Sequence, residues 1–463
     1  MTGAFFVIRN IFSTGSRQKG GIFMESKSLG RVFAKYVSLN ILSMLGLSCF
    51  IFVDTLCVAN GVGSNGLAAL NLTLPVYSFM NGIGLMIGMG GATRFAMAMG
   101  TGNEKAAKAS FTLSVKLALL CGVFFTLVGL FASRQLGALL GADEAVMQDM
   151  IPYMRTILLF SLAFMVNNVL VCFVRNDGYP QTAMAAMLTG SFSNIVLDIL
   201  FVFGFRWGMF GAAFATGIAP VLSMCVLSTH KIKGRSHFRL VKERTKISDV
   251  VRTISLGMSS FIGELSSAIV MLLFNFTILK LAGNIGVAAY GVIANIALIV
   301  CSIFTGIAQG VQPIISSQYG KKDFGGIRFV MQRGVLLAAA CGVICYAGGV
   351  LLAEPIVGIF NESGDAGFTK IALEGIKIYF LAFIPMGINV VMAAVLSAKD
   401  QPARSMLIAL LRGVILNVVL ILVFPNVWNM TGVWLVVPAT ELLTAAVCGA
   451  VQFGSSGMRR NTV

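Results

Sequence analysis

The chain has 463 residues, of which 57% are hydrophobic and only 11% are charged, and its mean hydropathy is +0.89. A soluble protein carries about 25% charged residues, so this chain cannot cover its surface with water-compatible groups. The composition excludes a soluble enzyme, a disordered protein and a nucleic-acid-binding protein, and it predicts one membrane-embedded body.

Long apolar runs follow one another along the chain. A helix needs about 20 apolar residues to cross the ~30 Å hydrocarbon layer of a membrane. The runs that meet this length are 36–58, 66–99, 109–132, 150–174, 182–204, 208–230, 253–279, 285–318, 329–352, 370–396, 404–424 and 431–453. The sequence therefore predicts an all-α polytopic membrane protein with twelve transmembrane helices.

The net charge of +16 comes from basic residues that concentrate in alternate segments between the runs. Cytoplasmic segments carry an excess of Lys and Arg. This rule places the tail 1–35 in the cytoplasm together with the C-terminal tail 454–463, in a chain of the inner cell membrane. Residues 1–35 lack the cleavage site of a signal peptide, and Met24 offers an alternative start.

A basic linker at 231–252 divides the twelve runs into two sets of six, residues 36–230 and residues 253–453. Its charge is typical of a solvated segment that touches anionic lipid heads.

The two sets repeat one another. A shift of 220 residues aligns 63–69 with 283–289, and shifts of 222 and 223 pair Asn167 with Asn389 and Asn194 with Asn417. Because six is even, both halves enter the membrane in the same direction. We therefore expect two six-helix bundles related by a pseudo-two-fold axis along the membrane normal. Such repeats are typical of transporters that work by alternating access, the alternative being a duplicated scaffold without transport.

Acidic residues inside apolar runs need an explanation, since each costs about 2.5–3.5 kcal/mol at the membrane centre. At 1.5 Å per residue, Asp54 and Asp198 lie about 28 Å and 27 Å along the first and fifth helices. Asn194 lies one turn from Asp198, and Thr216 follows on the sixth helix. We predict that these four converge, either to share a proton or to bind Na⁺. The alternative is a structural polar cluster.

A candidate second site lies in the other half. Glu264 and Glu441 lie about 18 Å and 15 Å along the seventh and twelfth helices, and Asn275 lies further along the seventh. The sequence places no Lys or Arg at comparable depth. The alternative for each acid is a protonated carboxyl group bonded to a neighbouring helix.

Several motifs together resemble the multidrug and toxic compound extrusion (MATE) family over about residues 35–455. They are Val53-Asp54-Thr55, Gly66-Leu-Ala-Ala69, Arg175-Asn-Asp-Gly178-Tyr-Pro180, Asn194-Ile-Val-Leu-Asp198, Gly211-Ala-Ala-Phe-Ala-Thr216 and Gly310-Val-Gln-Pro313.

The resemblance implies an antiporter that is coupled to H⁺ or Na⁺ and exports organic, often cationic or amphipathic, compounds. Asp54, Asn194, Asp198 and Thr216 match the positions that one branch of the family uses for the cation. Glu264 resembles a seventh-helix Glu of other branches, whereas the tenth-helix Asp of those branches has no match.

We therefore expect a monomeric efflux antiporter with small-molecule substrates, no cofactor, and no metal beyond Na⁺ at the cation site. The sequence decides neither the coupling ion nor the substrate. A flippase for a lipid-linked intermediate is the second hypothesis, and it would favour basic residues in the cavity. A membrane-embedded enzyme is the third, but no His-Glu-x-x-His motif is present.

Overall fold

The computed structural model describes residues 26–243, 245–361 and 365–458, and every regular element in these ranges is a helix. Most of the predicted N-terminal tail and the end of the C-terminal tail lie outside these residues. The first helix begins at Ser26, ten residues before the predicted start of the first run.

The N-terminal lobe contains six spans and one short helix, Ser133–Leu139. The spans are α1 (Ser26–Gly61), α2 (Ser64–Gly100), α3 (Glu104–Phe131), α4 (Glu144–Leu159 and Ser161–Asn176), α5 (Pro180–Asp198, continued by the π-helical turn Ile199–Gly204) and α6 (Gly208–Ile232). The two parts of α4 meet at an angle of 46°.

The C-terminal lobe begins with a helical segment of 74 residues, Ile247–Gly320, that breaks at Gly283. A straight helix of this length would measure about 111 Å, far more than a membrane, so the segment forms α7 (247–282) and α8 (284–320). The next spans are α9 (Phe324–Leu351), α10 (Ala366–Tyr379, the 3₁₀ turn Phe380–Ala382 and Phe383–Ala398) and α11, which starts with Pro402–Leu410 and the π-helical turn Leu411–Ile415. Asn429 breaks Leu416–Met458 into the rest of α11 and α12 (430–458).

The number of spans agrees with the prediction. Within the described residues, nine helices are long and apolar enough to cross a membrane, and the bent pair in α4 makes a tenth. Two of the nine are divided, at Gly283 and Asn429. Twelve spans result, as the apolar runs predict.

The backbone confirms the internal repeat. Gly63 and Gly283 have φ angles of 98° and 62°, and Gly102 and Lys322, also 220 residues apart, have 74° and 59°. The short helix Ala353–Phe360 occupies the place in the second lobe that Ser133–Leu139 has in the first. Turns in the left-handed region are demanding, so their recurrence at one offset shows that both lobes have the same fold.

The lobes approach each other closely where α2 and α8 end. A Cβ atom built on Gly100 would lie 3.0 Å from Gly320 Cα, and one on Gly320 would lie 3.0 Å from Gly100 Cα. This reciprocity places the pseudo-two-fold axis between the two glycines. We call this end of the molecule the linker end, because the segment between α6 and α7 lies beside it.

The lobe seam, formed by α2 with α7 and by α1 with α8, runs from the linker end. Gly257 of α7 packs on the backbone of Met86. A Cβ atom built on Gly310 of α8 would lie 2.8 Å from the Cα atom of Val37. Glycines without side chains let the helices approach closely. Further along the seam, the hydroxyl oxygens of Ser48 and Ser302 lie 2.5 Å apart.

The linker itself is fixed to the N-terminal lobe. Asp177 accepts hydrogen bonds from both histidines of the chain, His230 Nε2 and His237 Nδ1, each at 2.8 Å. Phe238 packs against the aromatic rings of Phe95, Phe111 and Phe173. The solvated linker that the charge pattern favours is therefore, over 236–243, a segment held against one lobe.

The second half of the linker contacts α3. Val241 N donates to Thr112 Oγ1 at 3.0 Å, and Lys105 forms a 3.2 Å ion pair with Glu243.

Candidate functional site

Two carboxylates meet inside the N-terminal lobe. Asp54 of α1 is 8% exposed and Asp198 of α5 is fully buried, and their side chains lie within hydrogen-bonding reach of each other. Two ionised carboxylates this close repel each other, and a hydrogen bond between them needs a proton. Such an arrangement can share a proton or hold a cation between its oxygens.

Asn194 and Thr216 complete the cluster. Asn194 lies one helical turn before Asp198, and both side chains are fully buried. When each atom of the Asn194 amide faces a complementary partner, Nδ2 donates to Asp198 Oδ2 at 2.8 Å, and Oδ1 accepts from the backbone N–H and the hydroxyl of Thr216, each at 3.1 Å. The structure thus brings together all four residues of the predicted site.

The cluster keeps free acceptor capacity. Oδ1 of Asp54 and Oδ1 of Asp198 are buried and receive no hydrogen bond from the described residues. The ion pairs formed within those residues involve neither carboxylate. Hard cations prefer oxygen ligands. These carboxylate oxygens have no cationic side chain bound to them within the described residues.

The local backbone also marks the site. Asp198 is the last α-helical residue before the π-helical turn Ile199–Gly204, and π-helical turns occur frequently at functional sites. Cys57 and Tyr153 lie within electrostatic range of both carboxylates. The sequence pattern misses Tyr153, because only the packing of α4 brings it to this cluster.

Glu264 lies on the lobe seam rather than inside one lobe. Asn81 Nδ2 of α2 donates to Glu264 Oε1 at 3.1 Å, and Asn168 Nδ2 of α4 donates to Asn81 Oδ1 at 2.8 Å. Asn275 lies eleven residues further along α7, roughly 16 Å away along the axis. The structure therefore does not bring Glu264 and Asn275 together.

Glu441 has a cationic partner, which corrects the expectation that no base lies at its depth. Arg412 Nη2 and Nε donate to Glu441 Oε1 at 2.8 Å and 3.2 Å, and Asn389 Nδ2 donates to Oε2 at 2.7 Å. Arg412 lies ten residues after Pro402, about 15 Å into α11. Arg412 lies within the predicted run 404–424, so the expectation that no base reaches the depth of Glu441 was wrong.

Glu264 and Glu441 thus have different partners, Asn81 and Arg412, although both lie within electrostatic range of Cys301 on α8. They do not form a pair of the kind that Asp54 and Asp198 form.

Comparison with known proteins gives a family match and close structural neighbours. The model of the MatE family matches residues 40–200 and 260–423, one match in each lobe. The multidrug export protein MepA of Staphylococcus saprophyticus is 27% identical over 396 residues, which cover 83% of this chain and 84% of that protein. MepA of Staphylococcus aureus is 25% identical over 389 residues, with the same coverage.

Solved structures share the fold. One described as the outward-facing conformation of a multidrug resistance MATE family transporter superposes with a TM-score of 0.87 at 21% identity, covering 93% of this chain and 97% of that one. A transporter from Pyrococcus furiosus, described as having a binding pocket of reverse polarity, gives a TM-score of 0.83 at 22% identity, covering 92% and 96%.

The family model covers most of both lobes, and the twelve spans and the two-lobe repeat agree with it. The chain therefore belongs to the MatE family and is a membrane transporter of the multidrug and toxic compound extrusion (MATE) type.

Proposed function

We propose that this transporter is a cation-coupled antiporter that exports organic, cationic or amphipathic compounds by alternating access between its two lobes. The pair of Asp54 and Asp198 carries the proposal. The names of the MepA relatives, which describe multidrug export, support the direction of transport and a range of drugs as substrates.

The proposed coupling site is the cluster of Asp54, Asn194, Asp198 and Thr216. An entering H⁺ or Na⁺ would relieve the repulsion between the two buried carboxylates. Asn194 would hold Asp198 in place through its 2.8 Å hydrogen bond, because its other amide atom is fixed by Thr216.

Helix α1 is the proposed connection between cation and lobe movement. It carries Asp54 and also contributes Val37 and Ser48 to the lobe seam. A bound cation can shift the equilibrium between the two access states only if it binds them with different affinity. A rearrangement of α1 on cation binding would give that difference, since it would alter site and seam together.

The proposed orientation places the linker end in the cytoplasm. Arg94, Lys105 and Lys108 lie there, and cytoplasmic segments are the basic ones. The closed seam at that end supports a state in which access from the cytoplasm is blocked.

Purified full-length protein in proteoliposomes tests the proposal. A Na⁺ gradient and a pH gradient are imposed separately, and the movement of a fluorescent organic cation is followed. We expect one of the two gradients to drive transport, and an ionophore that dissipates this gradient to abolish it.

Transport that proceeds equally without either gradient would contradict coupling. Movement of a lipid-linked pyrophosphate, with none of the organic cation, would instead favour the flippase.

A further inference from the structure

The C-terminal lobe contains a polar cluster that corresponds to the one around Asp54 and Asp198. Asn417 and Thr440 lie 223 and 224 residues after Asn194 and Thr216. Asn417 Oδ1 accepts a hydrogen bond from the Thr440 hydroxyl at 3.3 Å, just as Asn194 Oδ1 accepts from Thr216 at 3.1 Å. The amide–hydroxyl pair is therefore present in both lobes.

The acids of the N-terminal cluster have apolar counterparts in the C-terminal lobe. The shift of 220 that superposes Gly63 on Gly283 places Phe274 at the position of Asp54, and the shift of 223 places Ile421 at the position of Asp198. Phe274 is 1% exposed and Ile421 is 3% exposed, and both belong to the main hydrophobic core of that lobe. No oxygen ligand remains at either position.

The side-chain nitrogens of Asn194 and Asn417 donate to different partners in the two lobes. Asn194 Nδ2 donates to the carboxylate of Asp198. Asn417 Nδ2 instead donates to the backbone carbonyl of Arg412 at 2.6 Å. In the C-terminal lobe, the amide thus holds the residue that carries a positive charge, and the guanidinium group of that residue reaches Glu441.

We propose that Arg412 is the resident cation of the C-terminal lobe, and that it prevents Glu441 from binding H⁺ or Na⁺ from solution. A guanidinium group keeps its charge at every physiological pH, so this ion pair cannot exchange its cation. Together with the proposed function of the N-terminal cluster, on which this comparison rests, only one of the two corresponding polar clusters, the one with Asp54 and Asp198, exchanges its cation.

Three versions of the full-length protein test the proposal: the wild type, Arg412→Met, and the double variant Arg412→Met/Glu441→Gln. Methionine keeps an unbranched apolar chain, and glutamine keeps the shape of the acid without its charge. The measurements are equilibrium binding of ²²Na⁺, the number of protons released when the pH is raised, and the dependence of Tm on Na⁺ and pH, all in nanodiscs.

We expect Arg412→Met to gain one bound cation, Na⁺ or H⁺, per chain relative to the wild type, and to show a cation-dependent rise in Tm. The double variant should lose this gain and bind the same number as the wild type. Arg412→Lys, which keeps a positive charge at the same place, should also show no gain.

Equal cation binding by Arg412→Met and the double variant would overturn the proposal. If Arg412→Met does not fold, the double variant still decides, since a lower cation count than that of the wild type would show that Glu441 itself takes part in exchange, whereas an equal count would support the proposal. A wild type that binds no cation, next to an Arg412→Met protein that binds one, would contradict the proposed function and leave the role of Arg412 standing.

Discussion

The two lobes share a backbone but bury different charges. Both hold an amide against a threonine hydroxyl, Asn194 with Thr216 and Asn417 with Thr440. The first lobe adds two carboxylates without a cationic partner, and the second adds Glu441 with Arg412 already bound to it. Duplication thus supplies the fold twice, and we propose that a few charged side chains decide which copy exchanges ions.

The largest expected effect comes from removing a charge of the N-terminal cluster. Asp54→Asn and Asp198→Asn should each lower gradient-driven transport by roughly tenfold or more, the equivalent of about 1.4 kcal/mol, because a neutral amide neither takes up a proton nor balances a cation. Transport in proteoliposomes measures the effect.

The control is Asp149→Asn, which makes the same chemical change outside the cluster, on α4, and should transport normally. Normal gradient-driven transport by both site variants would show that coupling lies elsewhere.

The next effect concerns the lobe seam, where both lobes contribute equivalent contacts. Gly257→Ala would press a methyl group against the backbone of Met86, and Gly310→Ala would do the same at Val37. Such overpacking costs about 1–3 kcal/mol, so both variants should favour separation of the lobes at the linker end. Cysteine pairs across α2 and α7, cross-linked in membranes, report this separation.

Gly263→Ala provides a matched control on α7, because a methyl group there meets no atom within 4 Å. A similar loss of cross-linking in all three variants would mean that the glycine contacts do not determine the closed seam.

A smaller effect is expected from removing the threonine hydroxyl group of each lobe. Thr216→Val removes the hydroxyl that holds Asn194. A hydrogen bond between membrane helices contributes about 0.6–1.7 kcal/mol, so the apparent affinity for the coupling ion should fall about 3- to 20-fold. Thr440→Val, the same change in the C-terminal lobe, should leave that affinity unchanged. Equal losses in both variants would show that the lobes do not differ in ion exchange.

The smallest effect concerns a feature found only in the N-terminal lobe. The hydrogen bond to Asp177 raises the pKa of His237 above its usual value, with further contributions from Glu104, while desolvation and Lys108 oppose the rise. A raised pKa in the folded state stabilises the contact below the ordinary pKa of about 6.5, and this contribution is lost as the pH rises through the folded-state value.

Hydrogen exchange of residues 233–246 should therefore be slower near pH 6 than near pH 8, after correction for intrinsic rates. His237→Gln should remove most of this difference. An unchanged pH dependence in the variant would show that another group controls the linker.

Local patterns and spacing predicted the spans, the repeat and the N-terminal cluster. The N-terminal cluster could be predicted because helix geometry fixes the depth of its residues, which are Asp54, Asn194, Asp198 and Thr216. The resemblance to the MATE family points to the same positions.

The contacts that were missed join residues whose spacing carries no signal. Arg412 and Glu441 are 29 residues apart, and Asp177 and His237 are 60 apart. The run 404–424 contains Arg412, but its pairing with Glu441 was missed because the sequence does not show that its long side chain reaches an acid on the neighbouring span. Such pairs depend on how helices rotate against each other, which a single sequence does not determine.

If the lobes move as we propose, the attachment of the linker limits the distance of that movement. Glu243 is held by Lys105 of the N-terminal lobe, and α7 begins at Ile247. Four residue steps reach at most about 14 Å even when fully extended. So long as that attachment holds, the start of α7 stays within this radius of Glu243, and the two lobes can separate only by a limited distance beside the linker.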